Sequence, residues 1–383
     1  MHRLSRTTRA VRRPVSGLPQ PSGIFLDVTH ALLFGCAMIF LSAVPLRAQP
    51  VSDPVPAEPQ GYLSVSFLME NDSTPLKIID RSDRQYTNGL GLLITHQPDW
   101  ADALAVHIPS LDHLDTPDDT AVGYLLAQKI FTPDNLDNPA VDPDDRRYAG
   151  YTYLGAFLQR ANQHTLDHFQ LDLGWIGPSS GADVVQSNWH DAINIQEPMG
   201  WGQQLPDEPT IQATFRKKWR VDLDRSPDGF QHELIPRAEL ILGTVQRQAA
   251  ADLLWRASWL PLPRDFGPSQ LDDPDAPMIG LTDHPDSFRI VSEPRWTAYF
   301  YGRAGIVLVE HDTFIEGSST QSDTGLDAKP LVGRFQVGIE AARHTGNGTF
   351  RIGLYQTILT DQFEGQTRPH SFGGLAISYA WRF

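Results

Sequence analysis

The chain has 383 residues, a net charge of −15, 30 glycines, 30 prolines and a single cysteine. So acidic a chain lacks the basic stripe that a nucleic-acid partner requires. One cysteine excludes a disulfide framework, and a mean hydropathy of −0.30 excludes a bundle of membrane helices.

The first segment is basic. Arg3, Arg6, Arg9, Arg12 and Arg13 precede an apolar run at 31–44, which is followed by Leu46, Arg47 and Ala48. A basic stretch, a short apolar stretch and a small residue form a secretory signal. The run is too short for a bilayer-spanning helix, which needs about 20 apolar residues. The reading is a signal peptide at 1–48, cleaved after Ala48, then a Pro-rich disordered lead-in at 49–60. Cys36 lies in the apolar run and leaves with the leader, so the mature chain has no thiol chemistry.

From position 61 the pattern becomes period-2. In the first candidate strand, 62–70, Leu63, Val65, Phe67 and Met69 share one face, and Ser64 and Ser66 the other. Further strands are predicted at 86–96, 121–132, 148–159, 164–176, 210–222, 230–242, 249–260, 295–309, 331–343, 348–358 and 371–383. The last alternates Leu375, Ile377, Tyr379, Trp381 and Phe383 with Ala376, Ser378, Ala380 and Arg382. A chain that closes on such a strand, with an aromatic residue last, looks like the assembly signal of outer-membrane barrels. The fold class is therefore all-β: a 12-stranded antiparallel transmembrane β-barrel over 61–383, with a short helix in an extracellular loop, in the outer membrane of a Gram-negative bacterium. Tight turns are predicted at 161–163 and 345–348. Five long connections, 73–85, 133–147, 177–208, 261–294 and 310–330, are expected on one side of the barrel. Trp201, Trp219, Trp255, Trp259, Trp296, Tyr299, Tyr301 and Trp381 are expected in interfacial aromatic girdles. The acidity suits a lipopolysaccharide surface bridged by divalent cations, and equally suits loops kept soluble by charge.

Three places carry chemistry. Strand 1 ends in Glu70-Asn71-Asp72, oxygen donors suited to a hard cation. Strand 2 opens through Asp83-Arg84-Gln85-Tyr86-Thr87-Asn88-Gly89. Ordinary turn chemistry accounts for such residues as well. The third place is the connection after strand 5, where the pattern turns helical over 182–194. Val185, Trp189 and Ile193 form one apolar face, and Gln186 and His190 share a neighbouring one. A helix inside a barrel loop calls for a reason, and a histidine on it suits a general base. Gly-x-Ser-x-Gly is absent, which argues against the common serine-esterase arrangement.

Taken in order, Asn71-Asp72, the segment 85–89, Asp145-Arg146-Arg147-Tyr148-Ala149-Gly150, 174–178, 186–190 and 200–205 resemble the outer-membrane lipid A 3′-O-deacylase family along nearly the whole mature chain. The resemblance implies a 12-stranded barrel, an active site between barrel wall and loop helix, a lipopolysaccharide (lipid A) substrate within outer-membrane lipid, and dependence on Ca²⁺. It carries the family's paired residues onto Asn71 and Asp72, its strand-2 hydroxyl onto Thr87 and its catalytic base onto His190. Its acidic residue falls on Glu197, or one position earlier on Gln196. Asp72, Asn71 and Thr87 are the implied metal ligands. One departure matters: the family's adjacent Lys–Arg pair after strand 3 is missing, where this chain reads Asp134-Asn135-Leu136-Asp137-Asn138. Arg146 and Arg147 are the later basic candidates. Two other functions stay open: an outer-membrane phospholipase or esterase acting on glycerolipids, and a non-enzymatic barrel serving as pore or scaffold. The oligomeric state is not legible.

Overall fold

The computed structural model describes residues 61–72, 84–107, 119–225, 229–277, 295–318 and 323–382. The leader expected at 1–48, the lead-in at 49–60, and Phe383 lie outside the described residues.

Alternation of apolar and polar residues produces the expected strands: β1 (Tyr62–Asn71), β2 (Gln85–His96), β3 (Asp119–Thr132), β4 (Ala149–Ala161), β5 (Thr165–Ile176) and β6 (Glu208–Trp219). After a spur, β7 (Val221–Asp224), come β8 (Gln231–Gly243), β9 (Gln246–Ser258), β10 (Arg295–Asp312), β11 (Leu331–Thr345), β12 (Gly348–Leu359) and β13 (His370–Arg382). Sequence neighbours pair antiparallel throughout. The wall closes where β13 pairs β1 and where β6 pairs β8. The spur β7 pairs only β8, so the closed wall has twelve strands, as expected. The sequence pattern over 210–222 runs β6 and β7 together, because no turn residue separates Trp219 from Val221. Closure leaves none of the twelve wall strands at an open sheet edge, which a chain in lipid requires.

The two faces of the wall differ as a barrel in lipid requires. Leu126, Leu154, Leu173, Ile306, Val337 and Ile339 are exposed on the outer face. Inward positions are largely polar. The predicted girdle is partly borne out. Trp255, Trp259 and Trp296 are exposed, whereas Tyr299 and Tyr301 are buried, with Tyr299 lying under the Arg256 guanidinium. Trp201 is buried beneath a loop.

The predicted turn at 161–163 forms around Asn162, whose Oδ1 accepts from the His164 and Thr165 amides. The long connections do not all lie together. Those after β1, β3, β5 and β10 leave one end of the barrel. The connection after β9 leaves the other, where Tyr62 and Arg382 pair. Its described part, up to residue 277, turns back into the lumen as a plug. Asp265 meets Arg256 at 2.6 Å and also meets Arg351. Asp273 meets Lys218 and Arg237 at 2.9 Å, and Arg216 and Arg303 at 3.1 Å. Asp275 accepts from Gln159 at 2.7 Å and pairs with Lys218. Leu271 seats against Gly89 and Gly91 of β2, where an added Cβ would come within 2.7 and 2.6 Å of its methyls. The physical reason for the inward turn is this match of acids to lumen cations: a buried charge must be paired. A first short helix, α1 (Trp100–Ala105), follows β2, and at the opposite mouth Phe314, on the short helix α3 (Thr313–Glu316), stacks on Phe131 at 3.9 Å.

Candidate functional site between the barrel wall and a loop helix

β1 and β2 meet at the end away from the chain termini. Glu70 points into the lumen, accepting from the Tyr86 and Tyr355 hydroxyls at 2.6 Å each. By alternation Asn71 then lies on the outer face, yet it is only 3% exposed. Just past the strand, Asp72 donates its amide to the Thr87 carbonyl at 3.2 Å, and its Oδ2 accepts the Arg84 amide at 2.5 Å. The register of β2 on β3 slips between Tyr86 and Asn88, leaving Thr87 as the extra residue of a bulge. Thr87 Oγ1 lies 2.6 Å from Thr132 Oγ1. Thr132 is next to inward-facing Phe131, so this hydroxyl pair sits on the outer face. Gln85 holds the approach. It has φ 64° and its amide donates to Asp134 and Asp145 at 3.1 Å, tying the loop after β3 to the start of β2.

The helix predicted over 182–194 is present as α2 (Ala182–Ala192). It is entered through Gly177 (φ 93°), a single turn at Pro178–Ser180, and Gly181 (φ 69°). The Ser180 carbonyl accepts from Gln128 and Thr152 at 2.9 Å, and the Gly177 amide donates to the Gly150 carbonyl at 3.0 Å. A Cβ on Gly150 would lie 2.2 Å from the Ala182 Cβ, so only glycine admits the helix this close to the wall. Ile130, Tyr148, Ala182 and Trp201 form a small apolar cluster under it. The residues after the helix return along the same wall: Met199 donates to the Leu136 carbonyl and Leu205 to the Tyr148 carbonyl, each at 2.9 Å.

The helix presents its faces in the order that lipid dictates. Val185 and Trp189 are each 38% exposed and point away from the barrel. Gln186 and His190 are 3% and 2% exposed and face the wall. His190 Nδ1 lies 2.6 Å from the Gln196 carbonyl oxygen. A carbonyl can only accept, so Nδ1 carries a proton and donates it to Gln196. Trp201, read in the sequence as a girdle residue, has a local task instead: its Nε1–H donates to Gln186 Oε1 at 2.9 Å.

Asn71, Asp72 and Thr87 therefore share one corner of the outer wall. His190 lies on a helix seated on the adjoining strands β3 and β4. Glu197 is solvent-exposed, and the group orienting His190 is the backbone carbonyl one residue earlier. Among the described residues no group of three or more His, Cys, Asp or Glu side chains gathers as a metal centre. The corner's own donors are one carboxylate, one carboxamide and two hydroxyls, all hard oxygens of the kind Ca²⁺ takes together with carbonyls and water. Arg146 does not stand in for the missing basic pair on this face. Its guanidinium lies over Phe131 and Phe363 and donates to Gln362, on the lumen side. The sequence points to Gln196 only as the alternative to Glu197 and to Trp201 only as a girdle residue, because an indole and a backbone carbonyl carry no signature of the tasks they perform here.

The sequence matches the family described as "Outer membrane protein LpxR" over residues 32–381. The chain belongs to the LpxR family of outer-membrane proteins. LpxR from Salmonella typhimurium has a similar fold, with a TM-score of 0.61 and 17% identity, covering 82% of this chain and 99% of that one. The β domain of the Bordetella autotransporter BrkA is more distant, at TM-score 0.38 and 10% identity over 84% of this chain and 98% of that one. The translocator domain of NalP from Neisseria meningitidis stands at 0.34 and 10%, over 94% and 98%. No curated protein matches the chain in sequence. Membership in the LpxR family agrees with the strand count and the outer-membrane location read from the sequence.

Proposed function

We propose that the chain is a Ca²⁺-dependent outer-membrane hydrolase that removes an ester-linked acyl chain, the 3′-O-linked one, from lipid A. The observation that carries this reading is His190. It is buried on a helix laid against the outer wall, with its tautomer set by the Gln196 carbonyl. Acyl chains in the outer leaflet reach that wall from the lipid, so the substrate need not enter the lumen.

In this reading His190 Nε2 takes a proton from a water molecule as the water oxygen attacks the ester carbonyl. The tetrahedral intermediate collapses with cleavage of the carbon–oxygen bond to the sugar. The imidazolium returns its proton to the leaving sugar oxygen, and the fatty acid departs. Asn71, Asp72 and Thr87 are the residues that would hold Ca²⁺. When bound, that cation supplies Lewis-acid polarisation of the carbonyl. With the Gln196 carbonyl orienting the histidine, Glu197 is assigned to the cation site.

Mass spectrometry of lipid A from an expressing host, with and without Ca²⁺ in a membrane assay, tests this. Calcium-dependent loss of one ester-linked acyl group is expected. Unchanged lipid A with a folded barrel overturns it and turns attention to glycerolipids. That second reading draws on one observation: the loop after β3 lacks a basic pair, and Arg146 is turned to the lumen. The plug argues against a pore.

A further inference from the structure

The outer wall is not evenly filled. Near the end where Tyr62 and Arg382 pair, the pairing of β9 with β10 stops at Ala257 and Phe300, while β10 and β11 stay paired as far as Arg295 and His344. β9 leaves the wall through Ser258, whose hydroxyl donates to the Ala298 carbonyl and accepts from the Leu260 amide at 2.8 Å. Trp259 therefore stands out as a ridge, exposed and braced against the Phe230 ring at 4.9 Å. Beside the ridge, Ala298 and Ala341 lie opposite each other in the register, so the floor there is two methyl groups. Phe300 and Ile339 border that floor toward the middle of the wall, and Ile352 borders it across β12. The result is a recess of about 420 Å³ with an apolar lining.

One row nearer the end of the barrel, Arg343 lies opposite Trp296 in the register. Both are exposed, and the guanidinium sits 5.9 Å from the centre of the indole. Among the described residues Arg343 makes no ion pair. A cation in the aromatic belt, with an apolar recess directly on its membrane side, has the polarity of a membrane lipid: head at the boundary, chain inward.

We propose that this recess binds one glycerophospholipid, with its phosphate on Arg343 and one acyl chain lying over Ala298 and Ala341 against Trp259. A concave apolar site with one placed charge is the usual form of a small-ligand site, and a basic group at the membrane boundary selects anionic lipid heads. Four of the long connections leave the other end of the barrel, which marks that end as the outside and this one as the periplasmic side. The leaflet that meets the recess is therefore the inner one, which in an outer membrane is glycerophospholipid. A second copy of the chain is a poorer occupant. A two-fold contact centred on the recess sets each Arg343 against the other, and like charges repel. The proposal rests on the barrel and its location, and stands apart from the hydrolase reading.

The test is native mass spectrometry of the full-length protein in mild detergent, titrated with phosphatidylglycerol, with heat-modifiable gel migration to report the folded barrel. Wild type is expected to hold one phosphatidylglycerol per barrel. Arg343→Gln should weaken that binding about fivefold, the loss of one surface cation's attraction for an anionic lipid. Ala341→Leu, which fills the floor of the recess, should remove the one-to-one complex. Wild-type binding by folded Arg343→Gln and Ala341→Leu overturns the proposal, as does a wild type that takes up lipid without fixed stoichiometry. A dimer that Ala341→Leu dissolves would assign the recess to a second copy instead. Retention of lipid A in place of phosphatidylglycerol would overturn the choice of lipid. If Ala341→Leu fails to fold, Arg343→Gln decides alone, because its side chain is exposed and outside the recess.

Discussion

The lumen and the outer wall beneath α2 are built from the same residue types in opposite ways. In the lumen, charge meets charge on every side: Asp273 alone faces Arg216, Lys218, Arg237 and Arg303 within 3.1 Å. Under α2, polar groups are few, and their orientation is fixed, His190 by a backbone carbonyl and Gln186 by an indole. The lumen network is dense, with opposite charges facing one another across several strands. It fixes the plug and closes the barrel. A sparse set of buried polar groups with fixed orientation is what a reacting molecule can complete. The difference separates the part of the molecule that holds shape from the part proposed to do chemistry.

Substitutions can break that division. The largest effect is expected from His190→Ala: hydrolysis of lipid A falls by about 10⁴-fold, the upper end for loss of a general base, while heat-modifiable migration stays normal. Retained activity would remove the histidine from the mechanism. Asp273→Ala should behave in the reverse way. It leaves four buried cations facing one another, and stability should fall by about 3 kcal/mol or more, as when one partner of a buried ion pair is removed. Urea unfolding measures the loss, and steady conductance in a planar bilayer would report an opened plug. The kcat of the folded fraction should be unchanged, because the substitution lies inside the wall and the site outside it. A selective fall in kcat would show that the two regions are coupled.

Much of this organisation is legible in the sequence, for a physical reason. A barrel in lipid imposes period-2 alternation on every strand, and β1 and β13 display it residue by residue, so the twelve-stranded wall can be counted. The loop helix is legible because Val185 and Trp189 stand one turn apart. The plug was hidden. Asp265, Asp272, Asp273 and Asp275 carry no local sign of burial in the sequence, and the segment 261–294 reads as one more long connection on the same side as the others. Their partners, Arg216, Lys218, Arg237 and Arg303, are spread over three strands, and no local pattern links them. The site was half legible. Asn71, Asp72, Thr87 and His190 stand out as motif residues, while the contributions of Trp201 and the Gln196 carbonyl exist only once α2 is folded onto β3 and β4.

A smaller effect concerns how α2 is seated. Gly150→Ala places a methyl about where the Ala182 methyl already lies, at 2.2 Å. Overpacking of this kind costs roughly 1–3 kcal/mol, here borne by the docking of the helix rather than by the barrel. Lipid A hydrolysis should fall while urea unfolding of the barrel is little changed. Adding Ala182→Gly removes the opposing methyl and should restore part of the activity. Lack of any rescue would mean that the Ser180 hydroxyl, also 2.2 Å from the added methyl, sets the contact rather than Ala182.

The smallest expected effect is the response of the plug to pH. Burial alone would raise the Asp273 carboxyl, but Lys218, Arg216, Arg237 and Arg303 hold it well below the usual carboxylate range. Asp265 is likewise buried, and Arg351 and Arg256 hold it low. A carboxylate depressed in the folded state contributes stability above its unfolded value of about 3.9 and loses it only as pH falls through the lower folded value. Asp275 differs: burial pushes it up, so its bridge to Lys218 is the first to weaken on acidification. The lumen should therefore stay closed from pH 8 to about pH 4, with at most small excursions near the lower limit from Asp275. Conductance traces across that range check it. Full opening already at pH 5 would mean that Asp273 and Asp265 do not lock the plug, and that the lumen is less unlike the wall site than their ion pairs imply.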